Sequence, residues 1–470
     1  MAPAVFDVLG DFAARGLIHD STDREELARR LAAGPVTAYC GFDPTADSLH
    51  AGNLIGILAL RRLQLAGHRP VALAGGATGM IGDPGGRSEE RNLLDNEVLG
   101  ANLAAITAQL CRLLDFEAAA NPAVLVDNAS WTRDIRLLAF LRDVGKHVTV
   151  NQMLAKESVR ARVESTSGIS FTEFSYMLLQ AHDYLWLHEH EGCELQIGGS
   201  DQWGNITAGV DLVRRRTGHQ VHGLTWPLLT RADGVKFGKS TGDNLWLDPR
   251  RTSPYAFYQH WIQVADADVA RFLLQLTLLD VGEVDSVMAA HQAAPPRRIA
   301  QGRLAFEVTA LVHGRSDALA AEAAARLVFG TAVADIPAAA YATLEAELPT
   351  TTVSRTRLEA GIDVAALVAE IGLTTSLAEA RRSLSQHGIY VNGVRPGGDH
   401  PTLTATDLQL DRWILLRRGR RHHHLVRVDP GEGTEGRPGT IDGPSREGAH
   451  RGNDEQPVGV DIEDRCSPRE

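Results

Sequence analysis

The sequence predicts an α/β fold: a parallel sheet, then a helical segment, then a small mixed α+β module. Three observations carry that expectation. Apolar, strand-like runs alternate with helical patterns over residues 1 to 225, residues 253 to 330 read as helix only, and a shorter Arg-rich block follows at 355 to 428. Strands separated by helix-length segments cannot pair as tight hairpins, so the sheet is expected to be parallel with helices on its faces.

The strand-like runs are VTAYCGF (36–42), PVALAGG (70–76), AVLVDN (123–128) and CELQIGG (193–199). LIGILALRRLQLAG, between the first two, carries the helical pattern. Residues 226 to 252 form a connection with a polar loop. Ser253-Pro254 then gives an N-cap with Pro at the first helical position, and Asp266, Pro295-Pro296 and Gly314 punctuate the helices beyond it. Residues 331 to 354, rich in Ala, Thr and Pro, read as a linker. The tail from 429 to 470, rich in Gly, Pro and charge, has a composition that cannot build a core and is expected to be disordered. No internal repeat is present.

At 470 residues, 44% hydrophobic and 23% charged, the chain has the makeup of a globular protein of two or three domains. It holds no run of about 18 uncharged apolar residues, and its first residues carry acidic rather than basic charge, so a cytoplasmic protein without membrane attachment is expected. Cys40, Cys111, Cys193 and Cys466 lack C-x-x-C spacing; reduced thiols are expected, and neither a zinc knuckle nor a disulfide framework is supported. The net charge of -12 argues against a uniformly basic nucleic-acid binder, but the charge is uneven. Residues 351 to 428 hold 11 Arg against 7 acidic residues, whereas the tail from Asp429 holds 11 acidic residues against 5 Arg. The basic block is a candidate for meeting a polyanion.

Five stretches hold candidate site residues. In GFDPTADSLHAGN (41–53) a strand ends and delivers a helix N-terminus, where unpaired N–H groups attract anions; His50 and Asn53, three apart, share one face of its first turn. For a single such His taken alone, a capped surface helix is the better explanation. GGATGMIGDPGGRSEER (75–91) places Asp83, Arg87 and Arg91 beside a glycine-rich turn that fits neither G-x-x-x-x-G-K-[ST] nor G-x-G-x-x-G. In FTEFSYMLLQAHDYLWL (171–187), Tyr176, Gln180 and Asp183 fall in one narrow sector of a helix apolar nearly all round. A carboxylate on a buried face must be paired, and this trio suits an ammonium group and a hydroxyl; a solvent-facing stripe is the alternative. QIGGSDQWGN (196–205) follows with Asp201 and Gln202, acceptors suited to ribose hydroxyls, although a helix N-cap also explains Asp201. ADGVKFGKSTGDNLWLD (232–248) adds Lys236 and Lys239 in a loop, two ammonium groups fit for the phosphates of a nucleotide.

Taken together, Pro44 to Asn53 and Lys236-Phe237-Gly238-Lys239-Ser240 resemble the HIGH and KMSKS signatures of class I aminoacyl-tRNA synthetases. YCGFDPTADSLH, GGATGMIGDP, SYMLLQAHD and GGSDQWGN are similar to bacterial tyrosyl-tRNA synthetases, and the resemblance runs from near the N-terminus to about residue 428. It implies a Rossmann-like catalytic domain and a tyrosine–tRNA ligase that joins L-tyrosine to ATP, releases pyrophosphate, and passes tyrosine to the 3′ end of tRNA(Tyr). Tyr39 and Asp183 would bond the phenol; Tyr176, Gln180 and Asp83 would hold the α-ammonium group. Gly41, Asp43, Asn53, Asp201, Gln202 and Lys239 would meet the adenylate. His50, Thr45, Lys236, Lys239 and Ser240 would stabilise the leaving pyrophosphate, with Mg²⁺ on the ATP phosphates and no metal held by the protein. Three positions depart from the family pattern: Asn53 replaces the second His of HIGH, Arg87 stands where many relatives have Lys, and KFGKS differs from KMSKS.

LTTSLAEARRSLSQHGIYVNGVRP (373–396) resembles the small RNA-binding module of the ribosomal S-four type. Arg381, Arg382, Arg417 and Arg418, with Arg420 and Arg421, would then meet tRNA phosphates, although any one of them also reads as a solvated basic face. The run His422 to His424 sits in a strand-like context of that module and gives little support to metal binding. By the same resemblance, residues 253 to 330 would contribute to anticodon recognition, and the protein would be a homodimer. Two other readings stay open: an RNA-binding relative without catalysis, and a synthetase for tryptophan. Tyr39 with Asp183 favours a phenol over an indole, which offers only a donor.

Overall fold

The structure is a computed structural model, described for residues 6–83, 95–164, 168–230, 244–329, 336–398, 401–419 and 421–429. Among these, two compact units divide after His313, inside the helical stretch read as 253 to 330.

In the first unit, five parallel strands lie in the order β3-β2-β1-β4-β5: β1 Thr37–Phe42, β2 Arg69–Ala74, β3 Val124–Asp127, β4 Cys193–Gly199 and β5 His222–Trp226. β1 and β2 are buried along nearly their whole length, which is why they read as continuous apolar runs rather than alternating ones. Strand order reverses beside β1, and the site is made there. β1 and β4 pair only as far as Tyr39↔Gln196, so beyond that point Gly41 and Phe42 part from Ile197 and Gly198 and a cleft opens at the carboxyl edge.

Two helices frame this cleft. Ala51–Leu65 starts at the N-cap His50 and is buried through most of its length. Phe171–Glu191 is capped by the Ser170 side chain and ends at Gly192, whose left-handed φ of 62° only glycine adopts freely. The helices Pro254–Ile262, Asp266–Leu276, Val281–Ala293 and Ile299–His313 complete the unit. The buried Arg62, on Ala51–Leu65, donates to the carbonyls of Leu274 and Gln275 and ties this group to the sheet.

The second unit carries a four-stranded sheet, β6 Thr350–Ser354, β11 His422–Asp429, β10 Trp413–Arg418 and β8 Ile389–Val391, in that order. A small pair, β7 Ile362–Asp363 and β9 Thr402–Leu403, stands beside it. Leu358, Leu367, Ile414, Leu416 and Val426 form its core. The stretch expected as a linker, 331 to 354, instead holds helix Ala338–Glu347 and strand β6 in its described part. Alanine favours helix as readily as it fills linkers, and Tyr341 and Leu344 turn that helix toward the core. Reduced thiols were also expected throughout. Cys40 and Cys193 are buried and free, and Cys466 lies outside the described residues.

Candidate active site

The cleft widens into a cavity of about 340 Å³, which gathers residues from five separate sequence stretches, Trp226, Leu228 and Leu229 forming the last. Tyr39, Gly41, Asp43, Thr45, His50 and Asn53 come from β1 and the segment after it; Asp83 comes from the turn after β2. Helix Phe171–Glu191 contributes Tyr176, Gln180 and Asp183 together, as their helical spacing requires, and the end of β4 adds Asp201 and Gln202. Lys236, Lys239, Ser240, Arg87 and Arg91 lie outside the described residues.

At the floor, Asp183 is buried and accepts from Asn128 Nδ2 at 2.9 Å and Trp131 Nε1 at 2.9 Å. Burial dominates these two donors and pushes its carboxyl up to about 7. Beside it the Tyr39 hydroxyl is buried without a hydrogen-bond partner. Burial, aided by the nearby Asp183 charge, keeps that phenol well above its ordinary range, so it is an O–H donor at neutral pH. An orphaned buried donor beside a carboxylate is the hollow that a substrate hydroxyl, which both donates and accepts, would fill.

Higher in the cavity, Asp43 accepts from Tyr176 Oη at 2.9 Å and Thr78 Oγ1 at 2.8 Å. A Cβ on Gly75 would fall 2.2 Å from Asp43 Oδ1, so glycine is required for this carboxylate to stand where it does. Asp83 accepts from Gln202 Nε2 at 2.6 Å and pairs with Lys156 Nζ at 3.2 Å. At the head of Ala51–Leu65, His50 Nδ1 accepts the Gly52 N–H at 3.0 Å, and the His50 N–H donates to Asn53 Oδ1 at 3.0 Å. With Nδ1 accepting, the ring proton belongs on Nε2. Burial lowers the imidazole pKa, so this is a neutral donor at an anion-binding helix end.

A protein-family model described as "tRNA synthetases class I (W and Y)" matches residues 31–330, and one for the "Tyrosine--tRNA ligase SYY-like C-terminal domain" matches residues 341–426. A tyrosine–tRNA ligase of Opitutus terrae is 52% identical over 422 residues, 90% of this chain and 99% of that protein. One from Bacillus caldotenax is 48% identical over 90% of this chain and 99% of its own. The chain belongs to the tyrosine–tRNA ligase family.

The crystal structure of a C-terminally truncated mitochondrial tyrosyl-tRNA synthetase from Aspergillus nidulans matches with a TM-score of 0.63 and 33% identity, over 69% of this chain and 94% of that one. For a tyrosine–tRNA ligase family member, sequence reasoning missed Thr78, Asn128, Trp131, Lys156 and Asn205. Asn128 had a signal, since it is the first residue after β3 at the same sheet edge. Lys156 had a subtler one: of 47 Lys and Arg in the chain only four are Lys, at 146, 156, 236 and 239. A compact ammonium fits a confined buried place better than the larger guanidinium.

In the second unit, Arg381 and Arg382 are exposed on helix Leu377–Ser385. Arg417 lies 3.9 Å over the Tyr390 ring, with Arg395 at 5.7 Å from the same ring. Arg418 differs from the phosphate-facing role expected of it. It donates to Glu379 Oε1 at 2.5 Å and the Leu373 carbonyl at 2.7 Å, so its guanidinium ties β10 to helix Leu377–Ser385 and the loop before it. His423 Nε2 contacts the Val328 carbonyl and His424 Nε2 the Thr351 hydroxyl, both as strand residues.

Proposed function

We propose that this member of the tyrosine–tRNA ligase family forms tyrosyl-adenylate in the cavity at the β1–β4 edge and then transfers tyrosine to tRNA(Tyr). The observation that carries the reading is the unpartnered Tyr39 hydroxyl beside the Asp183 carboxylate. A phenol donates to Asp183 and accepts from Tyr39, and phenylalanine would leave the Tyr39 hydroxyl stranded. Asp83, Gln180 and the Tyr176 oxygen offer acceptors to the α-ammonium group, which directs the tyrosine carboxylate toward the helix head. There the neutral His50 Nε2–H and the Asn53 amide meet phosphate oxygens, while Thr45, Gly41, Asp43, Asp201 and Gln202 surround the nucleotide.

The carboxylate attacks the α-phosphorus of ATP and pyrophosphate leaves; the residues position the reactants and stabilise the charge on the phosphates. Lys236, Lys239 and Ser240 would act on the same phosphates. Mg²⁺ would arrive with ATP and offset the charge of its phosphates. A 3′-terminal ribose hydroxyl of tRNA(Tyr) then attacks the adenylate's carbonyl carbon, the acyl–phosphate bond breaks and AMP leaves, with Arg381, Arg382 and Arg417 on the polyanion.

A homodimer is supported by the apolar side chains of helix Leu137–Asp143, where Leu137 is 68% and Leu138 79% exposed, and by Phe171 at 74%. No helix among the described residues is long and apolar enough to cross a membrane, and a cytoplasmic location fits a partner found in translation. ATP–pyrophosphate exchange with tyrosine, tryptophan and phenylalanine in parallel tests the reading. Exchange with tyrosine is expected; exchange with none of the three, or a preference for tryptophan, would overturn it.

A further inference from the structure

The buried lysine the reading above leaves without a role joins a chain of amides around the ammonium pocket. Lys156 Nζ donates to Asn205 Oδ1 at 2.9 Å; Asn205 Nδ2 donates to Gln180 Oε1 at 2.8 Å and Gln202 Oε1 at 3.0 Å; Gln202 Nε2 donates to Asp83 Oδ2 at 2.6 Å. Lys156 also reaches Asp83 Oδ1 at 3.2 Å, which closes the ring.

An amide can turn over and exchange its donor and acceptor ends at little cost unless its neighbours forbid it. Here both ends of the chain are fixed in kind: an ammonium only donates, and an ionised carboxylate only accepts. With Lys156 donating, Asn205 must present its oxygen to the lysine and its NH₂ to the two glutamines. Gln202 must then turn its NH₂ to Asp83, and Gln180 must keep its oxygen toward the pocket network. Lys156 is buried, and a Cβ on Gly204 would fall 3.2 Å from Lys156 Cγ, so the missing side chain makes room for the lysine stem. Only four lysines are kept in this arginine-rich chain, and one is held in this place.

We propose that Lys156 is a positioning residue for the amino group of the substrate: it sets the polarity of Asn205, Gln180 and Gln202 and holds Asp83, so that the pocket presents acceptors to an α-ammonium ion. The proposal rests on the assignment of Asp83, Gln180 and Tyr176 to that group.

The test compares tyrosine with 3-(4-hydroxyphenyl)propionate, which lacks the amino group, in wild type, Lys156→Met and Asn205→Asp, with thermal melting as a check on folding. Lys156→Met is expected to raise the KM for tyrosine about tenfold or more through the lost orienting bonds. The kcat at saturating tyrosine, the KM for ATP and the inhibition by the propionate should stay near wild type. Asn205→Asp keeps a partner for Lys156 but loses the donor to both glutamines, and should show the same selective loss even if Lys156→Met folds poorly. A tyrosine KM unchanged in both variants, or an equal weakening of tyrosine and propionate, would overturn the role of Lys156. Equal binding of tyrosine and propionate by the wild type would instead overturn the assignment of the ammonium pocket.

Discussion

Asn53 Oδ1 accepts the backbone N–H of His50 at 3.0 Å, and so the residue that departs from the HIGH pattern is the one that seats the histidine it follows. Its amide NH₂ stays at the cavity wall, so one side chain both caps the helix and offers a donor to the nucleotide.

Two substitutions separate those tasks. Asn53→Ala is expected to cost about 1 kcal/mol of stability by removing the cap acceptor, and to slow adenylate formation. Asn53→Asp keeps the acceptor and should hold stability, yet still slow adenylate formation because it sets a negative charge beside the phosphates. Asn53→His restores a ring donor at the cavity and should stay active. Melting curves and pyrophosphate exchange check all three, and equal rates in Asn53→Asp and wild type would contradict the nucleotide contact.

The buried Asp183 makes tyrosine binding depend on pH. Its folded pKa, raised to about 7 by burial, lies above the value of about 3.9 expected in the unfolded chain. The native state therefore holds a proton that the unfolded state releases. That proton favours folding below the unfolded value; the advantage is lost progressively as pH rises toward about 7 and does not change further above it. The ionised form is the better acceptor for a phenol, so tyrosine affinity should rise with pH and level off above about 7. Below that it should fall by up to about tenfold per pH unit. Equilibrium binding across pH checks this, and Asp183→Asn should give a flat profile.

Trp131 serves Asp183 and also stacks on Trp186 at 4.1 Å. Trp131→Phe keeps an aromatic ring in the stack and removes the indole donor. The KM for tyrosine is expected to rise about tenfold and the preference over phenylalanine to narrow, since the carboxylate loses one of its two charge-assisted bonds. An equal weakening of both amino acids would show that the ring matters through packing alone.

Legibility in the sequence followed the range of the forces involved. β1 to β4 announce themselves as short apolar runs, and Tyr176, Gln180 and Asp183 as neighbours on one helix, because both patterns are set within a few residues. β5, HGLTW, does not read as a strand run, since His, Gly and Thr interrupt its apolar character, and it is buried because residues 19–22 hydrogen-bond along its outer edge. Asn128 and Trp131 lie 55 and 52 residues from Asp183 along the chain, and no local pattern reports such a bond. The run His422 to His424 lies on β11, as its strand-like context suggests, and His423 and His424 contact the Val328 carbonyl and the Thr351 hydroxyl.

The last prediction concerns where the chain can be cut. A cut near 350, suggested by composition, would part elements that pack within the second unit: Arg427 pairs with Glu345 at 2.7 Å, Trp413 Nε1 donates to Glu345 Oε2 at 3.1 Å, and Tyr341 stacks on Trp413 at 5.2 Å. Such a fragment would expose the apolar side of helix Ala338–Glu347 and is expected to aggregate. A chain ending at His313 keeps all the described residues of the first unit, with every described residue of the active-site cavity among them. It should retain tyrosine-dependent pyrophosphate exchange within about threefold while charging of tRNA(Tyr) falls by at least about a hundredfold through the lost phosphate contacts. Parallel exchange and charging assays decide it: equal loss of both would mean that the second unit supports the cavity itself, and equal retention would remove it from tRNA recognition.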